Sequence, residues 1–369
     1  MRLIIPVIFC LFAAPVHAAD PETLARTARA RVAAAVADGE VPGLSASLEP
    51  AGGPRIDVQA GLADPRERMP VGTDTRFLSG SVGKTITALV AVQLTEAGQL
   101  DLDAPVATWL SDRDWWDDLA NHDALTLRML LNHSAGVPDY LEDIDFFLAG
   151  LTRGNRGYTP DERVGFIAGD APNGEPGAHF SYSDTDYVLV GLIIEAATGQ
   201  DFYDLAQDMV VRPLGMNRTQ PLQGRDFADL AAGHRGGLFG RKPTARAGRL
   251  SSNLDHEWTG GGWVTTPGDL VTLYRSLGED GRFAAESAIM RSQINAFDAD
   301  GTRGYGLGVY VRINPDGSYR LSHGGDFGGY RSAAIHDSGS GLTLAVQGND
   351  KAFEAPDFAF ALLEALAGE

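Results

Sequence analysis

Strand-like patterns occur near both ends of this chain of 369 residues, and the region between them has mostly helical patterns. Near the N-terminus, two short runs on either side of Gly52-Gly53-Pro54 predict a β-hairpin. After residue 300, four further runs follow one another at hairpin spacing. The six runs are Leu44–Leu48, Ile56–Gly61, Tyr305–Ile313, Tyr319–Ser322, Tyr330–Ile335 and Leu342–Val346. Because antiparallel strands need only short turns between them, these runs predict one antiparallel sheet built from both ends of the chain.

Helix signals flank these strands. Asp20-Pro21-Glu22 combines an N-cap, a proline at the first helical position and an acid in the first turn, and Gly39 ends the periodic run that follows. Further helices are predicted at Ser81–Ala97, Leu125–Leu131, Val188–Ala197, Thr266–Leu277 and Ala355–Leu366.

The expected fold class is therefore α/β (α+β), with an antiparallel sheet flanked by helices and an inserted, mostly helical domain. Residues 19–99 and 251–369 are expected to form the sheet domain, and residues 100–250 the helical insertion. A cleft between two such domains is the default place for a site.

The first 18 residues have the features of an export signal. Met1-Arg2 supplies a positive start, Leu3–Val16 is nearly all apolar, and small residues precede a cleavage point after Ala18. The apolar run is shorter than the roughly 20 residues of a membrane span, although an uncleaved anchor is the alternative. We therefore expect a periplasmic or secreted protein with no stable membrane span. Cys10 is the only cysteine, so the mature chain has no disulfide and no thiol nucleophile.

Composition narrows the class of partner. The net charge of −19 argues against nucleic-acid binding through bulk charge. His256-Glu257 is followed by Trp-Thr-Gly and so does not form the zinc motif His-Glu-x-x-His. The sequence therefore predicts a small-molecule or peptide substrate, with no metal and no cofactor.

Ser81 and Lys84 open the predicted helix 81–97. Residues three apart share a helix face, so their side chains are expected side by side at the helix N-terminus. A serine hydroxyl becomes nucleophilic when a neighbouring base takes its proton, and a lysine whose pKa is lowered is such a base. The N-terminal N–H groups also favour a developing oxyanion. The motif therefore fits acyl transfer, and by itself it fits an N-capping serine with a solvated lysine as well.

Two other motifs that could be sought around Ser81 do not match the sequence. A phosphate-binding P-loop needs Gly-x-x-x-x-Gly-Lys-Ser/Thr, and its first position is Leu78 here. A nucleophile elbow needs Gly-x-Ser-x-Gly, and its first position is Ser79.

Two further stretches contain residues that can do chemistry. Tyr182, in Tyr-Ser-Asp, is a candidate general base or proton shuttle if nearby positive charge lowers its pKa, and otherwise a packed tyrosine. His323-Gly324-Gly325 is expected at the end of the strand that starts at Tyr319, where it leaves the edge open for a substrate backbone. A turn histidine explains that stretch equally well.

These three stretches follow the order of one family. From about Thr23 to the C-terminus, the chain resembles the class C β-lactamases and D-alanyl-D-alanine carboxypeptidases (penicillin-recognising serine hydrolases), including related esterases. The resemblance also covers Leu130–Gly136, Tyr182–Gly199 and Gly260–Leu270. It implies a nucleophile at Ser81, acid–base work shared by Lys84 and Tyr182, and an oxyanion hole formed by the backbone N–H groups of Ser81 and Asp326. His323 and Gly325 would line the site from the sheet.

Two positions depart from the family pattern. Asp184 stands where the family usually has asparagine, and a carboxylate beside Lys84 is expected to raise its pKa and to move the base role toward a Tyr182 phenolate. His323 stands where the β-lactamases have lysine, and a histidine is mostly neutral at about pH 7.5. Both changes weaken the case for β-lactam hydrolysis.

The function predicted from the resemblance is that of an exported serine hydrolase. It would act on an ester, a D-alanyl peptide or an amide through an acyl-enzyme. The alternative is a catalytically weak protein of the same fold that binds or senses penicillin or a peptide.

Overall fold

A computed structural model describes residues 20–236 and 242–367 of the chain. The predicted export signal, residues 1–18, lies outside this described part. The helices in chain order are α1 (Pro21–Ala37), α2 (Lys84–Glu96), α3 (Ala107–Leu110), α4 (Leu127–Leu131), α5 (Ile144–Arg153), α6 (Pro160–Gly165), α7 (Asp184–Thr198), α8 (Phe202–Ala206), α9 (Pro267–Arg275), α10 (Ala284–Ser292) and α11 (Ala355–Ala367).

Sixteen strands, many of them only two residues long, occur in the described part of the chain. They are β1 (Gly43–Glu49), β2 (Ile56–Asp64), β3 (Met69–Pro70), β4 (Phe77–Leu78), β5 (Gln220–Pro221), β6 (His234–Arg235), β7 (Lys242–Pro243), β8 (Ala245–Arg246), β9 (Arg249–Leu250), β10 (Trp263–Thr265), β11 (Asn295–Ala296), β12 (Arg303–Tyr305), β13 (Tyr310–Ile313), β14 (Tyr319–Phe327), β15 (Tyr330–Asp337) and β16 (Leu342–Gly348).

The main sheet joins the two ends of the chain. Its nine strands run in the order β11-β12-β13-β14-β15-β16-β1-β2-β3, and each of its pairs is antiparallel. The N-terminal strand β1 lies between its hairpin partner β2 and the C-terminal strand β16, with Ala46 opposite Val346. The expected fold class is confirmed: the sheet is antiparallel, it draws strands from both ends, and helices flank it.

Two hydrophobic layers cover the sheet. On one side, α1 and α11 pack against it through buried residues that include Leu24, Val32 and Leu363. The other layer contains α2, α7 and α9 and continues into the helical segment between residues 100 and 211. Helix α1 begins where the sequence predicts, because the Asp20 side chain accepts a hydrogen bond from the Thr23 N–H at 3.2 Å.

Two strand predictions are wrong in detail. The run Tyr305–Ile313 is interrupted between β12 and β13, where Gly308 has φ +73° and passes so close to α2 that a β-carbon on it would collide with Ala88. The strand that starts at Tyr319 continues through Phe327, because β15 pairs with it from Arg320 to Phe327. His323-Gly324-Gly325 therefore lies inside a strand.

A search of residues 20–236 and 242–367 for a helix with the length and apolar character of a membrane span finds none.

Candidate active site

Ser81 lies in a short 3-10 turn, Gly80–Gly83, that leads directly into α2 at Lys84. Gly80 has φ +52°, a left-handed conformation that costs glycine little. A β-carbon at this position would also lie 2.9 Å from the backbone nitrogen of Asp326. Glycine therefore allows the turn that carries Ser81 to approach β14 closely.

Lys84 is fully buried, and its ammonium group has three partners. It lies 3.0 Å from the Ser81 hydroxyl oxygen and donates to the Gly260 carbonyl at 2.8 Å. The third partner is a carboxylate oxygen of Asp184. The structure thus brings together Ser81, Lys84 and Asp184, as the sequence analysis expects.

The pKa of Lys84 is held well above its ordinary value. Burial alone lowers this pKa, since a low-dielectric interior disfavours charge. The carboxylate of Asp184, with further contributions from Tyr182 and Glu257, outweighs burial. The expected effect of Asp184 on Lys84 is therefore present, and Lys84 is an ammonium in the resting site.

Tyr182 lies against the same two side chains. Its ring centroid is 4.9 Å from the Lys84 nitrogen, and both Lys84 and Ser81 act on its hydroxyl in the direction that lowers its pKa. Burial raises the pKa of Tyr182, and the positive charge of Lys84 does not compensate because Asp184 adds a negative one. The expectation of a phenolate is therefore wrong for the resting site, where Tyr182 is a neutral phenol.

Two carboxyl groups that the sequence analysis missed surround Asp184. The Asp139 carboxylate accepts a hydrogen bond from the Asp184 N–H at 3.0 Å, and burial together with the charge of Asp184 raises the pKa of Asp139 to about 7. Glu257 is buried, and for the same two reasons its pKa lies well above the ordinary value. No spacing pattern marks either residue, since Asp139 lies in a loop and Glu257 in the short 3-10 helix Asp255–Gly260, and only the fold brings them together.

A buried His133–Asp186 pair lies behind Tyr182. The His133 Nδ1 atom is 2.9 Å from an Asp186 carboxylate oxygen, and both side chains are fully buried. The His133 ring centroid lies 4.2 Å from that of Tyr182. Burial lowers the pKa of His133 and raises the pKa of Asp186, which favours the uncharged form of each group. His133 therefore forms a wall against which Tyr182 is positioned.

His323 faces the site from β14 as a neutral imidazole. Its Nε2 atom is 2.8 Å from the Tyr305 hydroxyl, and its Nδ1 atom is 2.7 Å from the Gly324 carbonyl. Burial, with the nearby charge of Lys84, lowers the pKa of His323 to about 3. The side chain therefore lines the site, as predicted, without a charge at any pH near neutrality.

Gly325 and Asp326 follow on the same strand. A β-carbon on Gly325 would collide with the Ser79 carbonyl, which also accepts a hydrogen bond from the Ser332 hydroxyl. β13 pairs with β14 only as far as Ser322, so the stretch from Gly324 onward has no β13 partner. The open strand edge expected at His-Gly-Gly is therefore present, beside the turn that carries Ser81.

A cavity of about 840 Å³ opens onto these residues. Its walls include Ser81, Tyr182, Asp184, His323, Gly325 and Asp326, which means that every predicted site residue except the buried Lys84 lines it. In the described part of the chain, no group of three or more His, Cys, Asp or Glu side chains is arranged to hold a metal ion.

Comparison with known proteins agrees with this geometry. The model of the beta-lactamase family matches residues 28–368. The chain belongs to the beta-lactamase family. This family is one of serine hydrolases, and its members differ in the type of activity.

Three similar proteins illustrate the range of this family. Penicillin-binding protein 4 of Amycolatopsis lactamdurans is 30% identical over 299 residues, which are 76% of this chain and 73% of the relative. Esterase EstB of Burkholderia gladioli is 34% identical over 162 residues, 42% of this chain and 41% of the relative. The solved structure of a D-stereospecific amidohydrolase from Streptomyces sp. superposes with a TM-score of 0.77 at 28% identity, covering 92% of this chain and 97% of that one.

Proposed function

We propose that this beta-lactamase family member hydrolyses an ester, a D-amino-acid amide or a D-alanyl peptide through an acyl-enzyme on Ser81. The observation that carries the proposal is the 3.0 Å contact between the Lys84 nitrogen and the Ser81 hydroxyl in the wall of the cavity. A nucleophile within hydrogen-bond reach of a basic group is the arrangement that acyl transfer needs. The names of the amidohydrolase and esterase relatives support the same substrate classes.

The Lys84–Asp184 pair provides the base. When the Lys84 ammonium passes one proton to the Asp184 carboxylate, the pair becomes a neutral amine beside a neutral acid, and the number of protons is unchanged. The amine then accepts the Ser81 proton as the serine oxygen attacks the substrate carbonyl. A substrate that excludes water favours this exchange, because a low-dielectric site disfavours separated charges.

Tyr182 completes the proton path. As the tetrahedral intermediate collapses, the phenol of Tyr182 donates its proton to the leaving group and regains one from the Lys84 ammonium. The position of Tyr182 beside Lys84 and Ser81 supports this route. Water then attacks the acyl-enzyme, the same proton transfers run in the reverse order, and Ser81 is restored. The backbone N–H groups of Ser81 and Asp326 would bind the oxyanion in both steps.

The neutral His323 disfavours β-lactam hydrolysis. A lysine at this place would offer a permanent positive charge to a substrate carboxylate, whereas the pKa of His323 is about 3. We therefore place esters and D-amino-acid amides or peptides ahead of β-lactams. Export to the periplasm or the medium is part of the same proposal and rests on the pattern of residues 1–18.

The deciding experiment compares the mature protein with Ser81→Ala and with Ser251→Ala, an exposed serine outside the cavity. Each is assayed on 4-nitrophenyl acetate, D-phenylalanine amide and D-alanyl-D-alanine, and intact masses are taken during turnover. We expect turnover and an acyl mass in the parent and in Ser251→Ala, and neither in Ser81→Ala. If fluorophosphonate fails to label the parent at Ser81 and all three substrates stay intact, the protein is a binding or sensor protein of this fold.

A further inference from the structure

Three arginines stand directly opposite one another on neighbouring strands of the main sheet. Arg303 on β12 pairs with Arg312 on β13, and Arg312 pairs with Arg320 on β14. Residues paired in this way share one face of a sheet, with β-carbons about 5 Å apart. We call this set the arginine ladder. Like charges placed opposite each other destabilise a sheet, so such a row needs compensating negative charge.

The two outer members of the arginine ladder are compensated and the middle one is not. Arg303 pairs with Asp298 at 3.2 Å, and Arg320 pairs with Asp337 at 3.1 Å. Within residues 20–236 and 242–367, Arg312 has no carboxylate within 4.0 Å, and its side chain is exposed. Arg312 therefore offers a free guanidinium between two neutralised ones.

The arginine ladder and Ser81 line the same cavity. All three arginines belong to its walls, together with Phe360 and Glu364 of α11. Along β14, Arg320 is three residues from His323 and five from Gly325, about 10 to 17 Å of extended chain, and these odd spacings place its side chain on the opposite face of the strand, toward Phe360 of α11. The cavity therefore passes around the edge of β14 that β13 leaves open beyond Ser322, and a substrate of several residues that follows it reaches both ends.

The catalytic end of the cavity offers no free positive charge. Lys84 is paired with Asp184, and Arg331 lies 3.4 Å from Asp326. His323 is neutral, because its pKa is about 3. On a chain of net charge −19, a negatively charged substrate needs a local cation, and Arg312 is the one that the described cavity wall leaves unpaired.

We propose that the arginine ladder is a subsite for a carboxylate that an extended peptide substrate carries three to five residues from the bond that is cleaved. The subsite rests on the proposed function, since it belongs to the same cavity. A guanidinium binds a carboxylate through two parallel hydrogen bonds, and the carboxylate supplies the negative charge that Arg312 lacks.

The test uses matched peptides with one glutamate or one glutamine at three, four or five residues from the scissile bond. One series carries this residue in the acyl part of a 4-nitrophenyl ester, and the other carries it in the leaving group of an amide. Parent, Arg312→Gln and Arg29→Gln are compared, since Arg29 is an exposed arginine on α1 and its substitution changes the net charge equally. Binding of the same intact peptides to Ser81→Ala is measured by calorimetry.

We expect the parent and Arg29→Gln to favour glutamate over glutamine about fivefold in kcat/KM in one of the two series, near the upper range for an exposed ion pair. In Arg312→Gln this ratio falls to about one, and added salt lowers it in the parent. Two results would overturn the subsite: a glutamate-to-glutamine ratio near one for the parent in both series, or a preference for glutamate that survives in Arg312→Gln. In either case, hydrolysis of the glutamine peptides would leave the proposed function intact. If no peptide is hydrolysed, the binding ratio on Ser81→Ala decides the subsite alone.

Discussion

Lys84 and Asp184 form an ion pair whose lysine side chain is wholly shielded from solvent, while the aspartate side chain keeps 12% of its exposure. The lysine is held at the head of α2, and the aspartate is the first residue of α7, so two helices from different parts of the chain meet at this pair. Because Asp184 is the only member of this pair with solvent-exposed atoms, a substrate that enters the cavity removes water from its carboxylate first. In the proposed mechanism, that loss of water favours the proton transfer from Lys84 to Asp184 that frees the amine.

Removing the amine should abolish turnover. For Lys84→Met we expect kcat for 4-nitrophenyl acetate to fall by at least about 10³-fold, because no group is left to take the Ser81 proton. The single substitution also leaves Asp184 buried without its partner, which destabilises the fold. The double variant Lys84→Met/Asp184→Asn removes both charges and should recover the melting temperature while staying inactive. Recovery of activity in that double variant would contradict the role of Lys84.

Asp184→Asn should remain active but with a shifted pH profile. The parent pair makes its neutral amine by internal transfer, whereas the variant must release the Lys84 proton to solvent. The ascending limb of kcat/KM is therefore expected at higher pH in Asp184→Asn than in the parent, so that the variant loses activity at pH 7 and regains it at pH 9. The pH profiles of both proteins on a neutral ester provide the measurement. A variant as inactive as Ser81→Ala at every pH would show that the carboxylate is indispensable.

Gly325→Ala should impair catalysis more than stability. The new methyl group would push against the Ser79 carbonyl and displace the turn that carries Ser81. A shift of about 1 Å in a reacting group costs on the order of 100-fold in rate, and we expect a decrease of that size in kcat. Gly165→Ala in α6 is the control, because nothing lies within 4 Å of its β-carbon. Equal kcat values in the two variants would remove Gly325 from the set of residues that position the nucleophile.

His336 should contribute to the pH dependence of stability far from the active site. Burial lowers the pKa of His336 to about 4, and its Nδ1 atom lies 2.8 Å from the Thr343 hydroxyl. The unfolded chain binds the proton at higher pH than the folded chain, so this contribution is complete above about pH 6.5 and is lost as the pH falls toward 4. The loss is about 3 kcal/mol at most.

Urea unfolding of the parent and of His336→Gln at pH 7.5 and pH 4.5 measures this effect. The difference in unfolding free energy between the two proteins should shrink at the lower pH, because only the parent still carries the histidine. Parallel loss of stability in both proteins would assign the acid sensitivity to other groups.

Local patterns in the sequence predict the parts of the site that depend on local geometry. The three-residue spacing of Ser81 and Lys84 holds in the structure, and so does the capping of α1 by Asp20. The pKa of Tyr182 could not be predicted in this way, because it depends on burial, which arises only when distant residues such as Lys84, His133 and Tyr305 pack around the side chain.

The His133–Asp186 pair was missed for a similar reason. His133 lies in the stretch Leu130–Gly136, and Asp186 lies in Tyr182–Gly199, the two stretches that carry the resemblance. Their presence in those stretches was the available signal, but their contact is made across 53 positions of sequence. The break in the predicted strand at Gly308 likewise depends on how closely α2 packs against it.

The position of β1 between β2 and β16 also limits how this protein can be made. Residues 43–49 emerge from a ribosome long before residues 342–348, yet they can complete the sheet only when the last strand is available. The turn that bears the nucleophile and the strand that faces it are separated in the same way, by more than 240 residues between Gly80 and Asp326. A nascent chain therefore holds no assembled reaction centre until its synthesis is almost complete. A truncated chain that lacks β16 should be inactive even though it still contains Ser81 and its neighbours in sequence.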